Sequence, residues 1–182
     1  MSSKPKRVVY IHGNQTTHWS FAWAPWVEKQ AKALGLQTHF TTMPDSRLAR
    51  RNIWLAHLEK QKIGENDILL GWSSGAVAAM RFAEKHRIAG SVLVSPCWTD
   101  LGDKLEKLSG WYRDPWDWDS IKANQPRIEL ISGTDNPFIP QEEFSHIAKE
   151  LNANHTQVKG EGHFTKQVTF AECVDALKRL ID

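Results

Sequence analysis

The sequence is poor in cysteine, in long apolar runs and in charge of one sign. Its 182 residues include only two cysteines, Cys97 and Cys173, too few for a disulfide framework or a cysteine–histidine metal site. We therefore expect free thiols, a reducing cytoplasmic compartment and no bound metal. No apolar run is long enough to cross a bilayer, and the N-terminus does not resemble a signal peptide. The formal net charge of +2 gives no reason to expect nucleic acid or a membrane as a partner.

A glycine loop for phosphate is also missing. Neither Gly-x-Gly-x-x-Gly nor a P-loop occurs in the chain, which argues against a nucleotide-binding α/β protein, and we expect no cofactor. The composition is otherwise ordinary, with 41% hydrophobic and 24% charged residues. The length suits one domain that spans residues 1–182.

Apolar runs alternate with segments of helical periodicity along the chain. This alternation predicts an α/β fold: a three-layer sandwich of about six mostly parallel strands with helices on both faces. A long amphipathic helix is expected over residues 47–60, and a loop-rich excursion over 95–125. The predicted strands cover residues 7–11, 37–41, 67–70, 89–94, 127–132 and 156–159.

The third predicted strand runs into Gly71-Trp72-Ser73-Ser74-Gly75, and a helix is expected to follow. Gly-x-Ser-x-Gly between a strand and a helix is the pattern of a nucleophile elbow. The backbone doubles back there, so a side chain at either glycine would crowd the turn. Ser73 would stand exposed at the tip as a nucleophile. The alternative is that Ser73 only caps the following helix.

A serine hydroxyl needs a base within hydrogen-bonding reach. His163 lies between the last strand and the last helix, and Asp135 follows the fifth strand. The chain order Ser73, Asp135, His163 is that of the α/β-hydrolase triad, in which the acid holds the imidazole ring. The alternative for His163 is a loop histidine that merely packs.

The developing negative charge on a reacting carbonyl needs two backbone N–H donors. Ser74 is the first candidate donor, and Gly13, Asn14 or Gln15 should supply the second. If the first and third strands are neighbours, the loop that carries these three residues faces Ser73 across the switch point of the sheet. A plain turn after the first strand is the alternative.

Tryptophan is unusually frequent, with nine residues that are partly clustered in loop sequence. Aromatic side chains often serve only as packing, but they can also wall an apolar ligand pocket. On the second interpretation the pocket accepts a short aromatic or aliphatic acyl group. The candidate pocket residues are His12, Trp19, Trp72, Trp98, Trp116 and Trp118.

Several short segments together form a specific pattern. They include His12-Gly13-Asn14, Met43-Pro44-Asp45, Gly71-Trp72-Ser73-Ser74-Gly75, Pro115-Trp116-Asp117-Trp118, Thr134-Asp135 with Pro137-Phe138, and Gly162-His163-Phe164. In these segments the chain resembles the small α/β-hydrolase family typified by YdeN and by retinoblastoma-binding protein nine. The resemblance implies a compact serine hydrolase without a large lid, in which Ser73 and His163 are catalytic. We expect the substrate to be a small carboxylic ester, or else an amide or peptide.

The acid departs from the family pattern, in which the carboxylate immediately precedes Pro-Phe. Here Asn136 holds that position, and Asp135 is one residue earlier. The sequence favours Asp135, which would reach His163 after a small loop shift. Alternatively, Asn136 holds the ring without charge and slows the reaction. This alternative motivates a second hypothesis, a weakly active or inactive binding protein on a hydrolase fold.

A second departure concerns protein partners. The family includes a human member linked to a Leu-x-Cys-x-Glu pocket-binding motif. The corresponding stretch here, Gln61-Lys62-Ile63-Gly64-Glu65, has neither the leucine nor the cysteine. We therefore expect a small-molecule substrate rather than that protein partner.

Overall fold

The structure, a computed structural model, describes residues 5–16 and 18–182. Six parallel strands form one sheet in the order β2-β1-β3-β4-β5-β6, and helices cover both faces, which confirms the predicted α/β fold. The strands are β1 Arg7–Ile11, β2 Gln37–Phe40, β3 Asp67–Trp72, β4 Gly90–Val94, β5 Ile128–Gly133 and β6 Asn154–Val158. The helices are α1 Ala24–Ala33, α2 Arg51–Lys60, α3 Ser74–Ala83, α4 Lys104–Ser109, α5 Trp118–Ala123, α6 Gln141–Leu151 and α7 Ala171–Ile181. Within the described ranges, no helix combines the length and apolar character that a membrane span requires.

Strands β1 and β3 are neighbours, which is the condition under which the loops after them face each other. Their register pairs Arg7 with Asp67 and Ile11 with Gly71. At the amino ends of these strands, the Arg7 guanidinium donates two hydrogen bonds of 2.7 and 2.8 Å to the Asp67 carboxylate. The winding direction reverses between these strands, so the loops after β1 and β3 face each other at the carboxyl edge, where ligands bind in such sheets.

The core has two halves, one on each face of the sheet. Alternate residues of a strand point to opposite faces, so Val8 and Tyr10 pack with α1 and α7 while Val9 and Ile11 pack with α2 and α3. Every residue of the central strand β3 is buried, as is usual in a parallel sheet that helices cover on both sides.

Helix α3, which follows the elbow, is buried along its whole length. Its Arg81 is 2% exposed and donates hydrogen bonds to the carbonyl oxygens of Trp111, Asp114 and Pro115. The guanidinium also lies 3.6 Å from the centre of the Trp116 ring. One buried cation thereby organises much of the segment between β4 and β5. That segment, predicted as loop, contains the two short helices α4 and α5.

The predicted start of the second helix is wrong by four residues. The helix expected to start at residue 47 begins at Arg51, because the preceding residues form a tight turn. Asp45 and Ala49 both have positive φ, 49° and 52°, and the Ala49 N–H donates to the Asp45 carbonyl oxygen at 2.8 Å. The Asp45 carboxylate accepts the N–H of Arg50 at 3.0 Å. An aspartate that bonds nearby backbone groups favours a turn over a helix, and helical periodicity does not reveal it.

Candidate active site

Ser73 occupies a sharp turn between β3 and α3. Its φ of 55° and ψ of −122° are unusual for a residue with a side chain, and strained residues of this kind persist where the surroundings enforce them. The Ser73 N–H donates to the Val94 carbonyl oxygen at 2.8 Å. A Cβ at Gly71 would lie 2.5 Å from the Ala76 Cα, and one at Gly75 would collide with the Ile11 carbonyl oxygen. The strand–turn–helix layout of a nucleophile elbow is therefore present.

A cavity of about 680 Å³ opens above this turn. Ser73 and His163, which are 90 positions apart in the sequence, both line it. The volume lies within the range typical of small-molecule sites. The other lining residues are Gly13, Asn14, Gln15, Thr16, Phe21, Trp72, Ser74, Cys97, Leu101, Asp103, Glu106, Pro137, Phe138, Ile139 and Thr165.

His163 is held in the loop after β6. Close approach of two backbone segments positions this loop, because a Cβ at Gly133 would collide with the Gly162 carbonyl oxygen. The indole N–H of Trp72 donates to the His163 carbonyl oxygen at 3.0 Å and ties the loop to the elbow. Burial lowers the pKa of His163 to about 4. The ring is therefore neutral at pH 7, as a general base must be.

Asn136, not Asp135, lies against the His163 ring. Its amide nitrogen Nδ2 is 3.0 Å from Nδ1 of His163. The exposed Asp135 carboxylate instead accepts the N–H of Gly162 at 3.1 Å. Asn136 is drawn inward because its Oδ1 accepts the N–H groups of Phe138 and Ile139 at 3.0 and 3.1 Å, a local turn typical of asparagine. The loop shift that would bring Asp135 to the ring is not seen.

The candidate oxyanion donors lie next to Ser73. Ser74 starts α3, and the first N–H groups of a helix have no acceptor within the helix. The loop after β1 also approaches closely, since a Cβ at Gly13 would lie 3.2 Å from the Ser73 Cβ. The N–H of Gln15 donates to the Ser46 carbonyl oxygen at 2.8 Å. Gly13 and Asn14 are therefore better candidates for the second donor than Gln15.

Of the predicted aromatic walls, Trp72 lines the cavity and four other tryptophans lie elsewhere. Trp19 packs edge-on against Phe40, with ring centroids 5.9 Å apart. Three tryptophans of the β4–β5 segment pack together beside α6. Trp116 stacks on Trp118 at 5.1 Å and donates its indole N–H to the Trp98 carbonyl oxygen at 2.9 Å. These four pack against other side chains and do not line the cavity.

His12 is fully buried beneath the loop after β1 and does not line the cavity. Its Nε2 accepts the N–H of Met43 at 2.8 Å, and its Nδ1 donates to the Gly13 carbonyl oxygen at 2.7 Å. Burial lowers the pKa of His12, which favours the neutral ring that this pair of contacts requires. His12 therefore shapes the loop after β1, and the structure does not place it in the cavity lining, where the sequence predicts it.

Sequence reasoning missed the carboxylate of Glu106 on the cavity wall. Glu106 accepts hydrogen bonds from the Asn14 amide at 2.7 Å and from the Tyr112 hydroxyl at 3.2 Å, and burial raises its pKa. The pattern Asp103-x-x-Glu106 predicts the start of a helix. It carries no sign that Glu106 contacts a residue 92 positions earlier.

Sequence reasoning also did not assign Phe138 to the cavity. Phe138 is 66% exposed, and its ring meets that of His163 edge-on at 5.3 Å. Here a signal was available, because Pro137-Phe138 is part of the motif by which the chain resembles its family. Phe138 supplies apolar surface at the mouth of the cavity.

Comparisons with known proteins show the family to which the chain belongs. The sequence profile described as serine hydrolase matches residues 8–180. Serine hydrolase RBBP9 of Rattus norvegicus is 37% identical over 185 residues, which cover 98% of this chain and 97% of that protein. The putative hydrolase YdeN of Bacillus subtilis is 28% identical over 174 residues, covering 91% of this chain and 89% of that protein.

Solved structures show the same fold. The crystal structure of the ydeN gene product from B. subtilis has a TM-score of 0.87 at 26% identity and covers 96% of this chain and 98% of its own. Est1E from Butyrivibrio proteoclasticus has a TM-score of 0.76 at 16% identity and covers 97% of this chain and 86% of its own. The similarity therefore extends over nearly the whole chain.

Proposed function

Because this chain belongs to the serine hydrolase family, we propose that it hydrolyses small carboxylic esters through Ser73 and His163. The observation that carries the proposal is that the strained Ser73 and the neutral His163 line one cavity beside the first turn of α3. Acyl transfer to a serine needs this combination of nucleophile, base and backbone N–H donors. Small amides and peptides share the chemistry and are included.

The reaction proceeds through an acyl-enzyme. Ser73 Oγ attacks the acyl carbon while Nε2 of His163 takes the hydroxyl proton, and the ring then returns that proton to the leaving group. The N–H of Ser74 and one N–H from Gly13 or Asn14 stabilise the oxyanion. Water, activated by the same ring, then releases the acid and restores Ser73.

The cavity favours an uncharged, largely apolar acyl group. Its mouth is apolar, through residues such as Phe21, Leu101 and Phe138, whereas Asp103 and Glu106 place carboxylates on the wall. A carboxylate on the substrate would be repelled there, since like charges disfavour each other. Nitrophenyl esters of increasing acyl length serve as test substrates, and we expect the short, uncharged acyl groups to react fastest.

Covalent labelling tests the nucleophile. Wild type, Ser73→Ala and Ser145→Ala are incubated with a fluorophosphonate, and intact mass reports the added phosphonyl group. We expect labelling of wild type and of Ser145→Ala, which removes an exposed hydroxyl on α6, and none of Ser73→Ala. Equal labelling of Ser73→Ala would reject the proposed function.

The dependence of labelling on pH tests the base. His163 acts only when neutral, and its neutral form is populated as pH rises through its pKa, which burial lowers to about 4. We expect the labelling rate to rise around pH 4 and to level off by about pH 6. An unperturbed histidine would place the rise near 6.5. A rise centred there would contradict the buried environment described for His163.

A hydrolase-fold binding protein with slow turnover is the second candidate function. The amide of Asn136 at the His163 ring favours it, because a carboxylate normally orients the base and stabilises its charge. Rapid ester turnover by the wild type would exclude this candidate.

A further inference from the structure

The amide of Asn136 is fixed in one orientation. Its Oδ1 accepts the backbone N–H groups of Phe138 and Ile139 at 3.0 and 3.1 Å. Its Nδ2 consequently faces Nδ1 of His163 at 3.0 Å and Oγ of Ser95 at 3.3 Å. If the amide were turned over, its NH₂ group would face two backbone donors and both hydrogen bonds would be lost, a large penalty for partly buried groups. The backbone thus determines which end of Asn136 meets the ring.

This orientation determines where the ring proton of His163 lies. A neutral imidazole has one N–H and one nitrogen that accepts, and an amide NH₂ group only donates. Nδ1 of His163 must therefore be the accepting nitrogen, which leaves the proton on Nε2. A general base for Ser73 needs the opposite arrangement, with Nε2 free to accept. A carboxylate in place of the Asn136 amide would accept a proton from Nδ1 and produce that arrangement.

Building on the proposed function, we propose that Asn136 holds neutral His163 in the Nε2-protonated tautomer and so keeps this hydrolase slow. The reactive tautomer requires either a turned amide, without its bonds to Phe138 and Ile139, or two donors facing each other at Nδ1. Acylation and deacylation use the same base, so both steps are slowed. In a serine protease the corresponding change of aspartate to asparagine lowers kcat about 10⁴-fold by selecting the wrong tautomer. Asn136 acts through the ring and is a positioning residue.

Nitrogen-15 NMR of the histidine rings tests the tautomer directly, without any substrate. The His163 signals are identified by their loss in His163→Gln. At pH 7 we expect Nε2 of wild-type His163 to carry the proton and Nδ1 to show the shift of an unprotonated nitrogen. In Asn136→Asp we expect the two nitrogens to exchange these states. A wild-type ring protonated on Nδ1 would overturn the inference.

Ester turnover by Asn136→Asp tests the consequence. The aspartate keeps an oxygen for the N–H groups of Phe138 and Ile139 and offers its second oxygen to the ring. We expect kcat to rise at least about 100-fold, towards the 10⁴-fold effect of the reverse change in a serine protease. Asn52→Asp, on the exposed first turn of α2, adds the same charge away from the cavity and should leave kcat unchanged. A smaller rise in Asn136→Asp, with a native thermal melt, would overturn the inference.

The pH profile separates an effect on the ring from a general effect on the loop. A carboxylate beside the ring favours the charged imidazolium, so the rise of labelling rate with pH should move in Asn136→Asp to a higher pH than in wild type. The double variant Ser73→Ala, Asn136→Asp should gain no activity. An unchanged pH profile in Asn136→Asp would argue against control of the ring by Asn136.

The two proposals can fail separately. If wild type is labelled at Ser73 and Asn136→Asp is labelled no faster, the tautomer inference is wrong and the hydrolase function stands. If NMR shows the exchange of tautomers but neither protein is labelled or turns over esters, the proposed function is wrong. Only the assignment of the His163 tautomer then stands, and the statement that Asn136 slows turnover falls with the function.

Discussion

The elbow around Ser73 and the loop that follows β5 line the same cavity. We call the second the acid loop, since it carries Asp135 and Asn136. Different interactions fix the conformations of the two segments. At the elbow, backbone sterics decide, because side chains at Gly71 and Gly75 would strike neighbouring backbone. In the acid loop, hydrogen bonds that backbone N–H groups donate to side-chain oxygens fix the conformation. Asn136 bonds two such groups, and Asp135 bonds that of Gly162.

This difference explains why residue types predict the conformation of the elbow but do not predict which residue of the acid loop faces His163. Glycine is the residue type that satisfies the steric demand of the elbow, so its spacing around Ser73 predicts the geometry. Either Asp135 or Asn136 can accept from a backbone donor, and both are common in turns. Which one faces His163 depends on the path of the loop, and that path is a property of the whole fold.

The largest expected effect is at the elbow. Gly75→Ala places a methyl group against the Ile11 carbonyl oxygen, and rigid backbone cannot yield as a side chain would. We expect a loss of more than about 3 kcal/mol in the free energy of unfolding. Urea denaturation followed by circular dichroism measures it.

Gly64→Ala is the matched control for this change. A Cβ at Gly64 meets no atom within 4 Å, so the expected change lies within about 0.5 kcal/mol. A Gly75→Ala protein as stable as Gly64→Ala would show that the elbow tolerates side chains, and the contrast with the acid loop would disappear.

Most of the fold could be predicted because it rests on local patterns. β1 has the predicted bounds, and the other predicted strands begin and end within two residues of the observed ones. The two wrong predictions, the start of α2 and the loop between β4 and β5, share a cause. In each, a side chain forms hydrogen bonds to the backbone, and the hydrophobic period of the sequence does not reveal such bonds. The turn at Asp45 delays the start of α2 from residue 47 to Arg51. Arg81 organises the β4–β5 segment by donating to carbonyl oxygens at least 30 positions away.

The candidate site was less predictable than the fold. Ser73 and His163 lie in loops at the carboxyl edge of the sheet, where topology alone brings them together. Which aromatic side chains line the cavity depends on which of them pack against the core instead. Trp98, Trp116 and Trp118 pack against the core, whereas Phe138 is 66% exposed and lines the cavity. Residue type alone does not distinguish these two uses of an aromatic ring.

A moderate effect is expected at Phe138, the residue of the acid loop that lies at the mouth of the cavity. Phe138→Ala removes apolar surface from the cavity mouth while leaving the contact of Asn136 with the ring. We expect KM for an apolar ester to rise about fivefold, or about 1 kcal/mol, with little change in kcat. Val168→Ala, at a similarly exposed residue that does not line the cavity, is the control and should leave KM unchanged. A KM unaffected by Phe138→Ala would place the acyl group elsewhere.

The smallest effect is expected at Asp135, and it decides which residue of the acid loop serves His163. Asp135→Asn keeps an oxygen that can accept the Gly162 N–H, so we expect kcat for ester hydrolysis to fall less than about threefold. If Asp135 were the acid that orients the ring, loss of its charge would lower kcat by about 10⁴. Steady-state kinetics on nitrophenyl acetate distinguishes these outcomes easily. A large loss would mean that the loop moves in solution to present Asp135, and the hydrogen bonds of Asn136 to Phe138 and Ile139 would then have to break.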